Sequence, residues 1–178
     1  MERKRPTKKD SGRVPADACG PMALRWVLAK DNRAVALKIL MKDCKVKEDG
    51  GSWTATMLSA LVRQGYRQFV SQDVTWDQVE ELLPTCHIVI SWWTIFFPTG
   101  EDEGGGAHWS AIDSLTRFRV GLYDPMFECV VQYPREVIDG HWAAPEYNGP
   151  AGILNDECRL AIFVPRRPLR KRKSRARP

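Results

Sequence analysis

Apolar positions in the first half of the chain recur at helical spacing, whereas those of the second half alternate or run together as strands do. Met22, Trp26 and Ala29, with Ala23 and Val27 beside them, form one stripe. The helix that carries it should begin near Asp17, whose carboxylate can serve as N-cap. Pro21 falls in the first turn, where proline is tolerated, and Asp31-Asn32 closes the helix. Further helices are predicted over residues 34–42, over 52–64 between the Asp49-Gly50-Gly51 turn and Gly65, and over 75–83 with Thr75 as cap. After Pro84 the character changes. Residues 87–93 read as a buried strand, 108–113 and 117–123 as a hairpin, and 127–132 and 159–164 as two more strands, with a helical turn at 134–138. Helices first and an antiparallel sheet second predict an α+β fold.

Composition narrows the classes. A chain of 178 residues with 43% hydrophobic and 28% charged positions is expected to form one ordinary globular domain with a core of its own. The longest apolar run, residues 88–98, is far short of the roughly 20 residues a membrane-spanning helix needs. No apolar stretch follows the basic N-terminus, so no secretory signal is read. Five cysteines, odd in number and without a Cys-x-x-Cys pair, argue against a disulfide framework or a zinc site and suit a cytoplasmic location. No metal or cofactor is expected.

The net charge of +5 changes meaning once it is divided. The first ten residues carry +3 and the last thirteen +8, which leaves −6 on residues 11–165. The expected organisation is a basic, flexible stretch over 1–12, one domain over 13–165, and a basic, disordered tail over 166–178. The tail suits an acidic partner. It lacks aromatic interleaving, and the body is acidic, which disfavours nucleic acid.

Only three histidines are available for acid–base work. His87 lies inside an apolar run and reads as a buried, satisfied histidine; His141 reads as a surface turn residue. His108 opens the predicted hairpin. With a turn at 114–116, residue 113 faces 117 and residue 108 faces 122, so Asp124 lies at the same end of the sheet. A carboxylate there can orient an imidazole. Cys19 sits in the first turn of the first helix, where unpaired amides and the helix dipole favour a thiolate. Gly20 would leave the backbone beside the sulfur open to a substrate carbonyl. Trp109 reads equally well as a cleft wall or as core, and Trp26, Trp92 and Trp93 as core. The acidic loop at 100–106 reads as a solvated loop.

With those residues in order, the sequence resembles a known group. Asp17-Ala18-Cys19-Gly20-Pro21, then Gly106-Ala107-His108-Trp109, then Leu122-Tyr123-Asp124-Pro125 resemble the papain-like cysteine peptidases of the bacteriocin-leader (double-glycine) processing type, over roughly residues 13–165. The resemblance implies a papain-like fold, with N-terminal helices packed on an antiparallel sheet, and a cysteine peptidase acting on a peptide or protein substrate. Cys19 would be nucleophile, His108 general base and then acid, and Asp124 the orienting group. The family carries a glutamine six residues before the cysteine as an oxyanion donor; this chain has Arg13 there, an oxyanion candidate in its place. Two further readings stand beside the peptidase: an inert papain-like relative that binds peptides or protein partners, and an amidase or acyl transferase using the same thioester.

Overall fold

The stripe that includes Met22 and Val27 lies on α1 (Cys19–Lys30), entered through a 3₁₀ turn at Ala16–Ala18. Ala18 is the N-cap and makes no side-chain cap bond, so Asp17 is a turn residue and not the cap expected of it. The 3₁₀ turn already holds the backbone near helical geometry, which removes the need for a capping side chain and makes Cys19 the first residue of the helix. The computed structural model describes residues 16–46, 51–94, 106–142, 146–147, 153–155 and 159–166. Arg13, residues 1–12, 100–105 and 167–178, and Cys158 lie outside the described residues.

Helix α2 (Leu37–Asp43) starts later than residue 34, because Ala36 is still extended. Helix α3 (Thr54–Arg63) lies close to the predicted span and is followed by Gly65 at φ +73°, a backbone angle glycine adopts freely. Helix α4 (Trp76–Leu82) carries the predicted Thr75 cap: its hydroxyl accepts from the Gln78 amide at 3.3 Å while the Gln78 side chain accepts from the Thr75 amide at 2.9 Å, a reciprocal box. Helix α5 (Arg135–His141) extends the predicted turn and ends on His141.

The strands are β1 (Phe69–Ser71), β2 (Cys86–Thr94), β3 (Gly106–Leu115), β4 (Arg119–Asp124), β5 (Cys129–Pro134), β6 (Glu146–Tyr147), β7 (Ile153–Asn155) and β8 (Ala161–Pro165). Six of them form an antiparallel sheet in the order β1-β8-β2-β3-β4-β5, and β6 pairs with β7 separately. The short strands β1, β6 and β7 were not anticipated. At two or three residues each they leave too little alternation to read.

Both sheet faces are covered. Leu24, Val27, Leu28, Leu40, Met57 and Leu61 of α1–α3 pack with Val89, Ala111, Ile162 and Val164 on one face. Val79 of α4 and Ile138 of α5 pack with Ile88, Ile90, Ile112, Leu122 and Phe163 on the other. A strand buried on both faces has no polar side, which is why β2 reads as a continuous apolar run. This is the α+β architecture expected, with helices on both faces of the sheet instead of one.

The β3–β4 hairpin corrects the predicted register. Ala111 faces Tyr123 and Ile112 faces Leu122; a bulge between Ile112 and Ser114 then shifts the pairing to Ser114–Gly121. Residue 122 therefore lies opposite 112 and not opposite His108. The reversal closes through Thr116 and Arg119, whose backbones are bonded at 2.8 Å, so the turn lies at 117–118 and not at the expected 114–116. No helix among the described residues is long and apolar enough to cross a membrane.

Candidate active site

Helix α1 runs alongside β3, and the lengths match. Eleven steps of helix from Cys19 to Lys30 span about 16 Å, and five steps of strand from His108 to Asp113 span about 17 Å. Lys30 reaches Asp113 at 2.9 Å at one end of this pair, and Cys19 hydrogen-bonds His108 at the other. Asp31, the C-cap of α1, accepts a 2.8 Å bond from His87 Nε2 on β2. Both partners are buried. His87 is thus the satisfied core histidine expected from its apolar setting, and it ties the far end of the helix that carries Cys19.

His108 is 3% exposed, and its Nε2 donates to Asp124 Oδ1 at 2.8 Å. That leaves Nδ1 as the ring nitrogen available to Cys19. Asp124 lies one pleat away from the position facing His108 and on the same face, so the contact survives the register correction. The carboxylate is held from three sides. Besides His108, the Met126 amide donates to Oδ1 at 2.9 Å and the Tyr133 hydroxyl donates to Oδ2 at 2.8 Å. Trp92, the cross-strand neighbour of His108, sets its ring edge-on to both His108 and Tyr133, with centroids 5.8 and 5.5 Å apart. Its indole N–H is bonded to Ser110 Oγ at 3.0 Å.

The electrostatics follow from this enclosure. Burial opposes the imidazolium, but the hydrogen bonds to Asp124 and Cys19 and their negative charge outweigh it and raise the His108 pKa to about 9. Burial likewise opposes the Asp124 carboxylate, and the bonds and charge of His108, the Tyr133 hydroxyl and the Met126 amide overcome it, so its pKa lies below the usual value. His87 goes the other way: burial lowers its pKa, and Asp31 only partly restores it. Two histidines, each bonded to an aspartate, therefore have opposite charge preferences. His108 has Cys19 beside it in addition to Asp124, whereas the cationic Arg166 and Lys30 near His87 push its pKa further down.

Cys19 is partly exposed, whereas Cys44 and Cys86 are buried and Cys129 is exposed. Burial pushes the Cys44 thiol up to about 12, as befits a structural cysteine. Among the described residues no group of His, Cys, Asp and Glu could hold a metal ion.

Gly20 and Trp109, the two expected cleft residues, have packing roles. A Cβ at Gly20 would come within 2.7 Å of Ser52 Cβ and 2.9 Å of Met57 Sδ, so this glycine lets α1 and the start of α3 close together. Trp109 is 5% exposed and donates its indole N–H to the Ser52 carbonyl at 2.9 Å. Ser52 thus sits between the neighbours of Cys19 and of His108; its own Oγ is buried without a hydrogen-bond partner among the described residues. Exposed aromatics on the flanking segments are Trp93, at 37% and paired across the sheet with Ala107, although it reads as core in the sequence, and Phe127, at 53%, three residues after Asp124. Trp26 is only partly buried and stacks on Tyr123 at 5.5 Å.

Sequence reasoning did not single out Tyr133, Ser52 or Asp31. Tyr133 falls between the predicted strand at 127–132 and the predicted turn at 134–138, and nothing local shows that its hydroxyl meets Asp124.

No protein-family model and no curated protein sequence matches this chain. Solved structures do resemble it. The peptidase domain of Streptococcus ComA, a bifunctional ABC transporter of a quorum-sensing pathway, superposes with a TM-score of 0.61 at 13% identity, covering 86% of this chain and 95% of that domain. A double-glycine-motif protease from an AMS/PCAT transporter, solved with its leader peptide, gives 0.56 at 20% identity over 83% and 84% of the two chains. A C39-like peptidase from Bacillus anthracis gives 0.60 at 14% identity over 85% and 90%. The fold is therefore the papain-like fold of double-glycine peptidase domains.

Proposed function

We propose that this chain is a cysteine peptidase that cleaves a peptide or protein substrate through Cys19, His108 and Asp124. The observation that carries the reading is the buried 2.8 Å hydrogen bond from His108 to Asp124, with the partly exposed Cys19 against the same ring at the first turn of α1, within a papain-like fold. The Cys19 sulfur attacks the scissile carbonyl and the C–N bond breaks as His108 passes its proton to the leaving amine. Water, deprotonated by His108, then hydrolyses the thioester and restores the thiol. The Cys19 amide would receive the oxyanion, with Arg13 as the candidate side-chain donor. Exposed Trp93 offers a surface for substrate beside the base. A peptide substrate is also supported by the leader-peptide complex of one structural neighbour.

Replacing Cys19 by Ala should abolish cleavage of peptide substrates while the fold is retained, as read by circular dichroism. At neutral pH, iodoacetamide should modify Cys19 faster than exposed Cys129. Since Cys129 is the more accessible thiol, faster modification of Cys19 measures activation and not access. Slower modification of Cys19, with no cleavage of any peptide, would favour the inert, peptide-binding relative. Product analysis with an added amine separates hydrolysis from acyl transfer.

A further inference from the structure

At the opposite end of β4 from Asp124, a groove of about 580 Å³ lies between the β3–β4 turn and the start of α5, lined by Arg117, Phe118, Arg119, Pro134, Arg135, Glu136 and Asp139. Five strand steps from Arg119 to Asp124 place it about 17 Å from the carboxylate of the candidate active site. Its size is that of a ligand site.

The charges in the groove are unevenly satisfied. Asp139 is engaged by Arg159 at 3.0 Å and by the Trp76 indole N–H at 2.7 Å. That leaves the guanidiniums of Arg117, Arg119 and Arg135 against the single carboxylate of Glu136, and none of the three pairs with a carboxylate among the described residues. Arg135 is held in place: its Nη1 reaches the carbonyls of Arg117 and Thr116 at 3.3 and 3.5 Å, its backbone amide is bonded to the Phe118 carbonyl at 2.9 Å, and its guanidinium lies over Trp76 at 4.8 Å. Phe118 is 71% exposed, with the Arg117 guanidinium 5.2 Å from its ring. A fixed guanidinium fork beside two that no carboxylate among the described residues engages, with an exposed aromatic ring, suits carboxylates next to an apolar side chain.

We propose that this groove docks a short acidic segment of a protein partner, its carboxylates on Arg117, Arg119 and Arg135 and an apolar side chain against Phe118. A long polyanion fits the surroundings poorly. Glu136 and Asp139 stand on the groove itself, so its cationic stretch is short. Successive phosphates of a nucleic acid would run onto these carboxylates, whereas a short segment meets only the local guanidiniums.

The test is fluorescence anisotropy with the full chain and a short labelled peptide of Asp and Glu around one Phe. Its controls are a Lys-for-acid version of the peptide, a single-stranded oligonucleotide of equal charge, and phosphatidylglycerol vesicles. Arg119→Glu and Arg117→Glu should each weaken the acidic peptide about tenfold, the loss expected for one charge-assisted pair, and Phe118→Ser should weaken it as well. All three positions are exposed, and circular dichroism should show unchanged folding. The basic residues after Arg166 are present in every variant, so any binding they contribute does not change with the substitution. Equal affinity of wild type and variants, no binding of the acidic peptide, or tighter groove-dependent binding of the oligonucleotide or vesicles would each overturn the proposal. Cleavage of a short peptide should be unchanged in Arg119→Glu, since the groove does not reach Cys19.

Discussion

Tyr133 gives Asp124 a second, non-imidazole side-chain donor, and its effect can be isolated because Phe retains the ring. Tyr133→Phe keeps the edge contact with Trp92 but removes the 2.8 Å bond to Oδ2. A hydrogen bond to a buried charge is worth roughly 2 kcal/mol, so urea unfolding should show a loss of about that size. The Asp124 pKa should rise, as read by carboxyl-carbon NMR; an unchanged Asp124 titration would mean that the hydroxyl does not serve the carboxylate. The residues of the proposed triad could be picked out at this scale, because a cysteine opening a helix, a histidine opening a strand and an aspartate ending the next each has a positional signature. Tyr133 was not, since its signature exists only once β4 and β5 are paired and Trp92 turns its ring toward the pair.

Helix α1 is the element on which the site depends. It is pinned at its C-terminal end by Asp31–His87 and Lys30–Asp113, and its N-terminal end fits against Ser52 and Met57 only because residue 20 has no side chain. Gly20→Ala inserts a methyl group into contacts of 2.7–2.9 Å. Overpacking of this kind costs roughly 1–3 kcal/mol, and the strain falls on the turn that carries Cys19. The expected result is a lower urea midpoint together with a lower kcat; full stability and full activity would show that α1 and α3 can separate at no cost. The four main helices were legible because their apolar stripes are long and bounded by cap, glycine or proline signals. The hairpin register was not. The turn falls at 117–118 and not at 114–116, which accounts for most of the shift, and a bulge between Ile112 and Ser114 adds one residue to one strand; alternation by itself locates neither.

For the whole molecule, the two buried histidines shape stability in opposite directions. The His108 pKa is raised from 6.5 to about 9, so its contribution is complete below 6.5 and is lost as pH climbs through about 9. The His87 pKa is lowered, so its contribution is complete above 6.5 and is lost as pH falls through its folded value; Asp124, also lowered, acts likewise in the acid range. Urea unfolding from pH 5 to 10 should therefore give maximal stability near pH 6.5, with a decline between pH 6.5 and 9 that disappears in His108→Gln, while the buried Cys44 thiol adds its own loss above pH 9 in both proteins. A decline unchanged in that variant would assign it to other groups. The sequence by itself determined the α+β class, the order of the main elements, the acidic body between basic ends, and which cysteine, histidine and aspartate stand at element ends, because periodicity and end signals are local properties of the chain. Only the tertiary structure decided that α1 matches β3 in length so that Cys19 meets His108, that Tyr133 and Trp92 enclose the Asp124–His108 pair, that Trp109 is core while Trp93 is exposed, and that three arginines converge at the far end of β4. Those contacts join residues distant in sequence, and they arise only when two faces of one sheet are covered and α1 is held at both ends.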